Sequence, residues 1–317
     1  MSGPVIVEGE ETGQRLDAFL CRRNLVRSVQ AARRAIAAGM VRVDGRPGKK
    51  GVRLAEGQRV ELSGPLPIEV VPEPAPSWPL EVLYVDDHMV AVSKPAGWPS
   101  HPLRHGEGAT VAGALLARFP ECGQASPDSR EGGLVHRLDR GTSGVLIAAR
   151  NRTAWFELRA AMVSADCTKI YRAEVQGCLG SMGAGDKDFV SPGAEPDTLV
   201  VAAPIGRVGR RGARVKLGGG RQPLPAFTTV SLLEQRADTA LLEARLSKGR
   251  THQVRAHLAY LGFPVVGDRI YGQPEPSPEA PPLLHLHAAS LTFRHPKTGQ
   301  ALCIEAPLPA WARTARD

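Results

Sequence analysis

Aromatic residues are scarce in this 317-residue chain, at 5%. So small a share argues against a platform that stacks a long run of single-stranded bases. No stretch of 18 apolar residues occurs, so no helical membrane span is expected. The opening segment, MSGPVIVEGEETGQRL, has neither a basic start nor an apolar core, so it does not read as a signal peptide, and a cytoplasmic location is expected. The five cysteines, Cys21, Cys122, Cys167, Cys178 and Cys303, form no Cys-x-x-Cys pair and are odd in number. They point to free thiols in a reducing compartment, not to a disulfide framework or a zinc site. His252 and His257 stand five apart with no glutamate between them, and His285 and His287 alternate on a strand without a cysteine nearby. No metal site is expected from either pair.

What the chain does have is positive charge, +8 overall. A basic protein favours polyanions, and one with few aromatics suits gripping phosphates while handling one base at a time. Hydrophobic residues reach 42%, enough for a real core.

The chain divides into a small module at 1–71 with its core at 14–63, a linker at 72–79, and a large domain at 80–317. In the module, Ser28 is placed to cap a helix through VQAARRAIAA that Gly39 ends. VRV and QRVEL read as strands, with Asp44-Gly45 as a turn. Arg22, Arg23, Arg27, Arg33 and Arg34 crowd its helical part and form either a solvated face or a phosphate-gripping one. The linker carries Pro72, Pro74, Pro76 and Pro79 and reads as extended and stiff.

Beyond residue 80, strand patterns dominate: EVLYV, MVAVS, GVLIAA, KIYRAEV, FTTVSLL, ALLEARL and LHLHAASLTF. Asn151 is a helix cap, and a helix runs from near Thr251 to Gly262. This order predicts an α+β fold, a mixed and mainly antiparallel sheet with peripheral helices. Residues 181–225 and 273–282 read as exposed loops. The first is a basic insertion, with Arg207, Arg210, Arg211, Arg214, Lys216 and Arg221 and no acid between 207 and 221.

The stretch GGLVHRLDRGTSGVLIAAR holds Asp139 between Arg137 and Arg140, ahead of a Gly-Thr-Ser-Gly turn. If 135–139 is extended, Arg137 and Asp139 share one face, with His136 and Leu138 on the other. A carboxylate flanked by arginines stays ionised, which suits a nucleophile or, equally, a structural ion pair.

HRLDRGTSG resembles the catalytic motif of the Rlu-type (RluA-like) RNA pseudouridine synthases. YVDDHMVAVSKPAGWPSHP is similar to the segment that precedes it in that family. KIYRAEVQG resembles the family's second motif, LSKGRTHQVRAHLAYLGFPVVGD its third, and LHAASLTFRHP its closing strand. Together they span 80–310 in the family's order. GQRLDAFL, SVQAARRAIAAGMVRVDG and LAEGQRVEL resemble an S-four-type RNA-binding domain.

The resemblance implies the pseudouridine synthase fold and isomerisation of uridine to pseudouridine, an intramolecular transfer that calls for no cofactor. It implies Asp139 as catalytic aspartate, Tyr171 as the tyrosine that stacks on the flipped uracil, and Arg250 as the basic residue that pairs with the aspartate. Arg137 corresponds to an arginine that holds open the space left by the flipped base. His136, Arg140 and Arg255 are further candidate RNA contacts. Where the family's third motif has Thr-Gly before the arginine, this chain has Ser247-Lys248-Gly249.

The N-terminal module favours large-subunit ribosomal RNA as the substrate, with transfer RNA as the alternative. A monomer is expected. A non-catalytic RNA-binding or ribosome-assembly factor would share the scaffold, but would not need the aspartate, tyrosine and arginine that are all present. A nucleoside or glycoside hydrolase with a carboxylate nucleophile would need a second carboxylate about 5 Å from the first, and Asp268 is the candidate for that.

Overall fold

The computed structural model describes residues 3–26, 29–64, 70–177, 187–209, 214–272 and 283–315. Arg27, the expected cap Ser28 and segment 273–282 lie outside the described residues. In the N-terminal module, strands β1 (Val5–Ile6), β2 (Val41–Val43), β3 (Arg46–Pro47) and β4 (Arg59–Leu62) form an antiparallel sheet in the order β1-β4-β2-β3. Helices α1 (Leu16–Arg22) and α2 (Val29–Ala37) cover it. Leu16, Phe19, Leu20, Ala32, Ala35 and Val60 fill the space between them. Gly39 adopts φ 71°, and Asp44 and Gly45 take φ 50° and 73°, as a tight hairpin turn requires.

The large domain begins with β5 (Glu81–Val85) and β6 (Met89–Lys94), then helix α3 (Val111–Arg118). β7 (Ser143–Ala149), helix α4 (Arg152–Ala161) and β8 (Thr168–Gln176) follow. Next come β9 (Val190–Pro192), β10 (Thr198–Val201), β11 (Ile205–Val208), β12 (Arg214–Leu217) and β13 (Arg221–Leu224). The chain continues through β14 (Thr228–Gln235), β15 (Thr239–Leu246), helix α5 (Gln253–Leu261), β16 (Leu286–Arg294) and β17 (Ala301–Glu305).

One sheet of ten strands runs β5-β6-β7-β16-β8-β15-β14-β10-β9, with β17 on β16. Its pairings are antiparallel except β16 with β7. The α+β prediction, with its mixed, mainly antiparallel sheet and peripheral helices, therefore holds. β6 and β7 are apolar almost throughout because both their faces are covered. Val90, Val92, Leu146 and Ala148 pack on one side with α3, and Met89, Ala91, Val145 and Ile147 on the other with α4. Asn151 caps α4 by accepting the Ala154 N–H at 2.9 Å.

One expectation needs correction. The basic insertion is not a bare loop: β9 and β10 extend the main sheet, and β11–β13 form a sheet of their own in the order β12-β11-β13. The alternation IGRV and RVKL, each with an inward apolar residue, was the overlooked strand signal. The proline segment packs on the large domain. Ala75 donates its N–H to the Gly113 carbonyl at 3.0 Å, and Trp78 lies against Trp98 with ring centres 3.8 Å apart. Gly113 admits this path, since a Cβ there would sit 2.2 Å from the Glu73 carbonyl oxygen.

Two buried histidines set an acid limit. His257 is fully buried between the Thr228 hydroxyl, at 2.9 Å, and the Ala203 carbonyl, at 3.1 Å. Burial draws its pKa down to about 4, and that of His287 likewise to about 4. The unfolded chain takes up these protons near pH 6.5, so it binds more protons than the native state between there and pH 4. Stability is thus full above about pH 6.5 and falls as the pH drops toward 4. Denaturant unfolding at pH 5 is expected to show a loss of about 1–2 kcal/mol per histidine relative to pH 7, and His257→Gln is expected to narrow that gap.

Candidate active site

Asp139 sits in the turn ahead of β7, and its neighbours are fixed by side chains from the segment after β6. The Ser100 hydroxyl accepts the Leu138 N–H at 3.2 Å and donates to the Leu138 carbonyl at 2.8 Å. Lys94 is 1% exposed, and its ammonium donates to the carbonyls of Pro95, Arg140 and Thr142 at 3.0, 3.0 and 2.6 Å. Burial pulls the Lys94 pKa down to about 7, against the opposing pull of the Asp139 charge. Thr142 closes the turn by donating its N–H to the Asp139 carbonyl at 3.0 Å. Gly144 lies at φ 112° where β7 meets β16, and a Cβ would fall 2.1 Å from the Ala288 carbonyl oxygen. Four separate restraints therefore hold the aspartate's backbone before any substrate arrives.

The carboxylate is gripped by Arg255, not Arg250. Arg255 Nη1 donates to Asp139 Oδ2 at 2.8 Å, while its Nε and Nη2 hold Asp268 at 2.7 Å each. Burial disfavours charge on both Arg255 and Asp268, yet their mutual pairing outweighs it: the arginine's pKa is raised and the Asp268 carboxyl lies below its ordinary range. Arg250 instead sends Nε toward the Pro225 carbonyl at 3.4 Å. The physical reason is the backbone at His252, which is left-handed at φ 54° and starts α5. Arg250 lies before that turn, at the cavity's rim, and Arg255 lies beyond it on the helix's buried side. Arg255 is 7% exposed, so its expectation as an RNA contact is also corrected.

Two hollows meet at Asp139. One is a cavity of about 240 Å³ lined by His136, Asp139, Lys169, Tyr171, Arg250 and Gln253 among others. The other is a groove of about 1120 Å³ with Trp78, His101, Arg140 and Arg269 on its walls. Arg137, Asp139, His252 and Arg255 border both. The cavity is much the smaller of the two. Tyr171 projects from β8 into the cavity, and burial pushes its phenol well up, so it stands as a neutral hydroxyl.

The strict two-face reading of 135–139 fails, because His136 and Asp139 line the same cavity. His136 is a wall residue of that cavity. Its Nε2 accepts the Ile147 N–H at 3.2 Å, and burial lowers its pKa to about 3, leaving it uncharged. Asp268 does not serve as a second catalytic carboxylate, since its side chain is fully buried behind Arg255. Lys94, Lys169, His252 and Gln253 escaped the sequence reading. The Lys-Pro pair after a strand was the one available signal for Lys94.

In the N-terminal module, three of the arginines read as either a solvated or a phosphate-gripping face are engaged by acids. Arg22 meets Glu10 at 3.2 Å, Arg23 meets Glu8 and Glu11 at 2.7 and 2.8 Å, and Arg33 meets Asp17 at 2.8 Å. Arg34 is half-buried, with Nε and Nη2 out of solvent and without a hydrogen-bond partner among the described residues. Arg42, Arg46, Lys49, Lys50, Arg53 and Arg59, on and after the hairpin, are also exposed.

Residues 88–260 match the model of the RNA pseudouridylate synthase family, and residues 14–60 that of the S4 domain. An uncharacterized RNA pseudouridine synthase of Chloroflexus aurantiacus is 37% identical over 96% of this chain and 90% of its own length. The ribosomal large subunit pseudouridine synthase D of Xanthomonas campestris is 35% identical over 96% of this chain and 88% of its own. Among solved structures, human RNA pseudouridylate synthase domain containing 1 aligns with a TM-score of 0.55 at 26% identity, over 75% of this chain and 86% of its own. With the aspartate turn, the tyrosine strand and the buried arginine gathered round one cavity, these matches show that the chain belongs to the RNA pseudouridine synthases, isomerases that carry here an N-terminal S4 domain.

Proposed function

We propose that this enzyme converts specific uridines of large-subunit ribosomal RNA to pseudouridine, with Asp139 as the nucleophile. The observation that carries the reading is the placement of the Asp139 carboxylate where the groove meets the smaller cavity. The target uridine leaves its stack, at a cost of about a few kcal/mol, and enters the cavity against Tyr171. Arg137, exposed at the junction, occupies the gap that the base leaves. Arg255 compensates the carboxylate's charge, so that Asp139 meets the nucleotide as an anion. Uracil then detaches from C1′ of its ribose, turns, and rejoins through C5. The C5 proton departs, N1 takes up a proton in its place, and the Asp139 carboxylate is released, so no atom is gained or lost overall.

Large-subunit ribosomal RNA is favoured by the S4 domain and by relatives that bear the name ribosomal large subunit pseudouridine synthase D. The test is to map pseudouridines in ribosomal and transfer RNA from cells with and without the gene. Loss of one or a few large-subunit sites, restored by the wild-type chain, is the expected result. Loss confined to transfer RNA would overturn the substrate assignment.

A further inference from the structure

Tyr271 lies outside the chemistry described so far, yet it joins the basic sheet to the catalytic carboxylate. Its hydroxyl accepts the backbone N–H of Val215, on β12, at 2.9 Å. The same oxygen lies 3.1 Å from His252 Nδ1. The other ring nitrogen, His252 Nε2, faces Asp139 Oδ2 at 3.6 Å. The Tyr271 ring itself sits between two guanidiniums, Arg255 at 5.4 Å and Arg214 at 5.8 Å from its centre. Its backbone N–H is held by Asp268 Oδ1 at 3.1 Å, so the ring's position is tied to the buried ion pair.

A phenol has one proton to give. With Val215 already donating to the oxygen, that proton needs an acceptor, and among the described residues His252 Nδ1 is the one within hydrogen-bond reach. A neutral imidazole that accepts at Nδ1 carries its proton at Nε2. The nitrogen facing Asp139 is then a donor and not a lone pair. A lone pair there would repel the carboxylate, whereas an N–H attracts it and needs only a small side-chain shift to close 3.6 Å to a hydrogen bond. His252 holds its ring there at the expense of a left-handed backbone, the kind of local strain that persists where surrounding structure over-determines it.

We propose that Tyr271 is a positioning residue: anchored by β12, it sets the His252 tautomer so that Nε2–H orients the Asp139 carboxylate toward the nucleotide. This rests on the reading of Asp139 as the nucleophile. The order runs Val215 N–H to Tyr271 Oη, Tyr271 O–H to His252 Nδ1, and His252 Nε2–H to Asp139 Oδ2. No bond to a heavy atom changes, and no proton leaves the chain.

The experiment pairs ¹⁵N spectroscopy of the imidazole nitrogens in the full-length enzyme with kinetics of Tyr271→Phe. The His252 resonance is assigned by its loss in His252→Asn, since asparagine tolerates the left-handed backbone. The wild-type enzyme is expected to carry the His252 proton on Nε2, and Tyr271→Phe to redistribute it toward Nδ1. Turnover of Tyr271→Phe is expected to fall about tenfold, the scale of one lost hydrogen bond, with KM for RNA within about twofold. In a His252→Asn background the Tyr271→Phe loss should disappear, because both changes break one chain. A wild-type proton on Nδ1, unchanged turnover in Tyr271→Phe, or a loss that persists in the His252→Asn background would each overturn the proposal. A failed nucleophile assignment would show differently, as Asp139→Asn retaining turnover with the His252 tautomer as described.

Discussion

Asp139→Asn is expected to abolish pseudouridine formation, lowering turnover by at least about 10⁴-fold, the scale reached when a nucleophile is removed from other covalent enzymes. Release of tritium from RNA labelled at uracil C5 measures it directly, because that hydrogen is lost in the isomerisation. Binding of the same RNA should remain within a few-fold. Asparagine keeps the size of the side chain, and its oxygen still accepts from Arg255. Arg255 also keeps its two bonds to Asp268, so the site loses its charge and not its shape. A normal rate in Asp139→Asn would remove the basis for the mechanism proposed above.

The second large effect concerns Arg255. Arg255→Leu takes one guanidinium away from two carboxylates, of which Asp268 has no solvent to fall back on. Breaking a buried pair from one side costs about 3–5 kcal/mol, which denaturant unfolding will register together with loss of activity. Arg255→Lys does not rescue it, since a single ammonium cannot span three oxygens that a planar fork now holds. Arg250→Leu is the control. It leaves the Asp139 pair whole, so stability should move by under about 1 kcal/mol, and any kinetic change should fall on RNA binding. If Arg250→Leu proved the more destabilising of the two, the assignment of the ion pair would be reversed.

Much of this architecture was legible in the residues. The Asp139 turn, the strand carrying Tyr171, the Asn151 cap and the α5 helix ending at Gly262 all follow local rules of period, capping and turn chemistry. What escaped depends on three-dimensional register. Arg250 and Arg255 are five residues apart, and only the left-handed turn at His252 decides which one reaches the aspartate. The sequence marks that turn only weakly, because positive φ stays uncommon even for histidine, which is enriched there. The insertion was misread because glycine and proline mark its turns while its strands are only four residues long. The ion pairs of the N-terminal arginines were not legible because Glu8, Glu10, Glu11 and Asp17 meet them only once the module folds.

One pairing has a consequence for when the enzyme becomes competent. The turn that carries Asp139 is completed by β16: Gly144 lies against Ala288, and the Ser143 hydroxyl meets His287 Nδ1 at 2.8 Å, across 144 residues of sequence. Strands so far apart pair late, because the entropy of closing so large a loop is spent before the contact repays it. A ribosome making this protein must therefore translate past residue 294 before the aspartate's cradle can exist. Until then the aspartate's surroundings are incomplete, so maturation of the catalyst is timed by the emergence of one late strand.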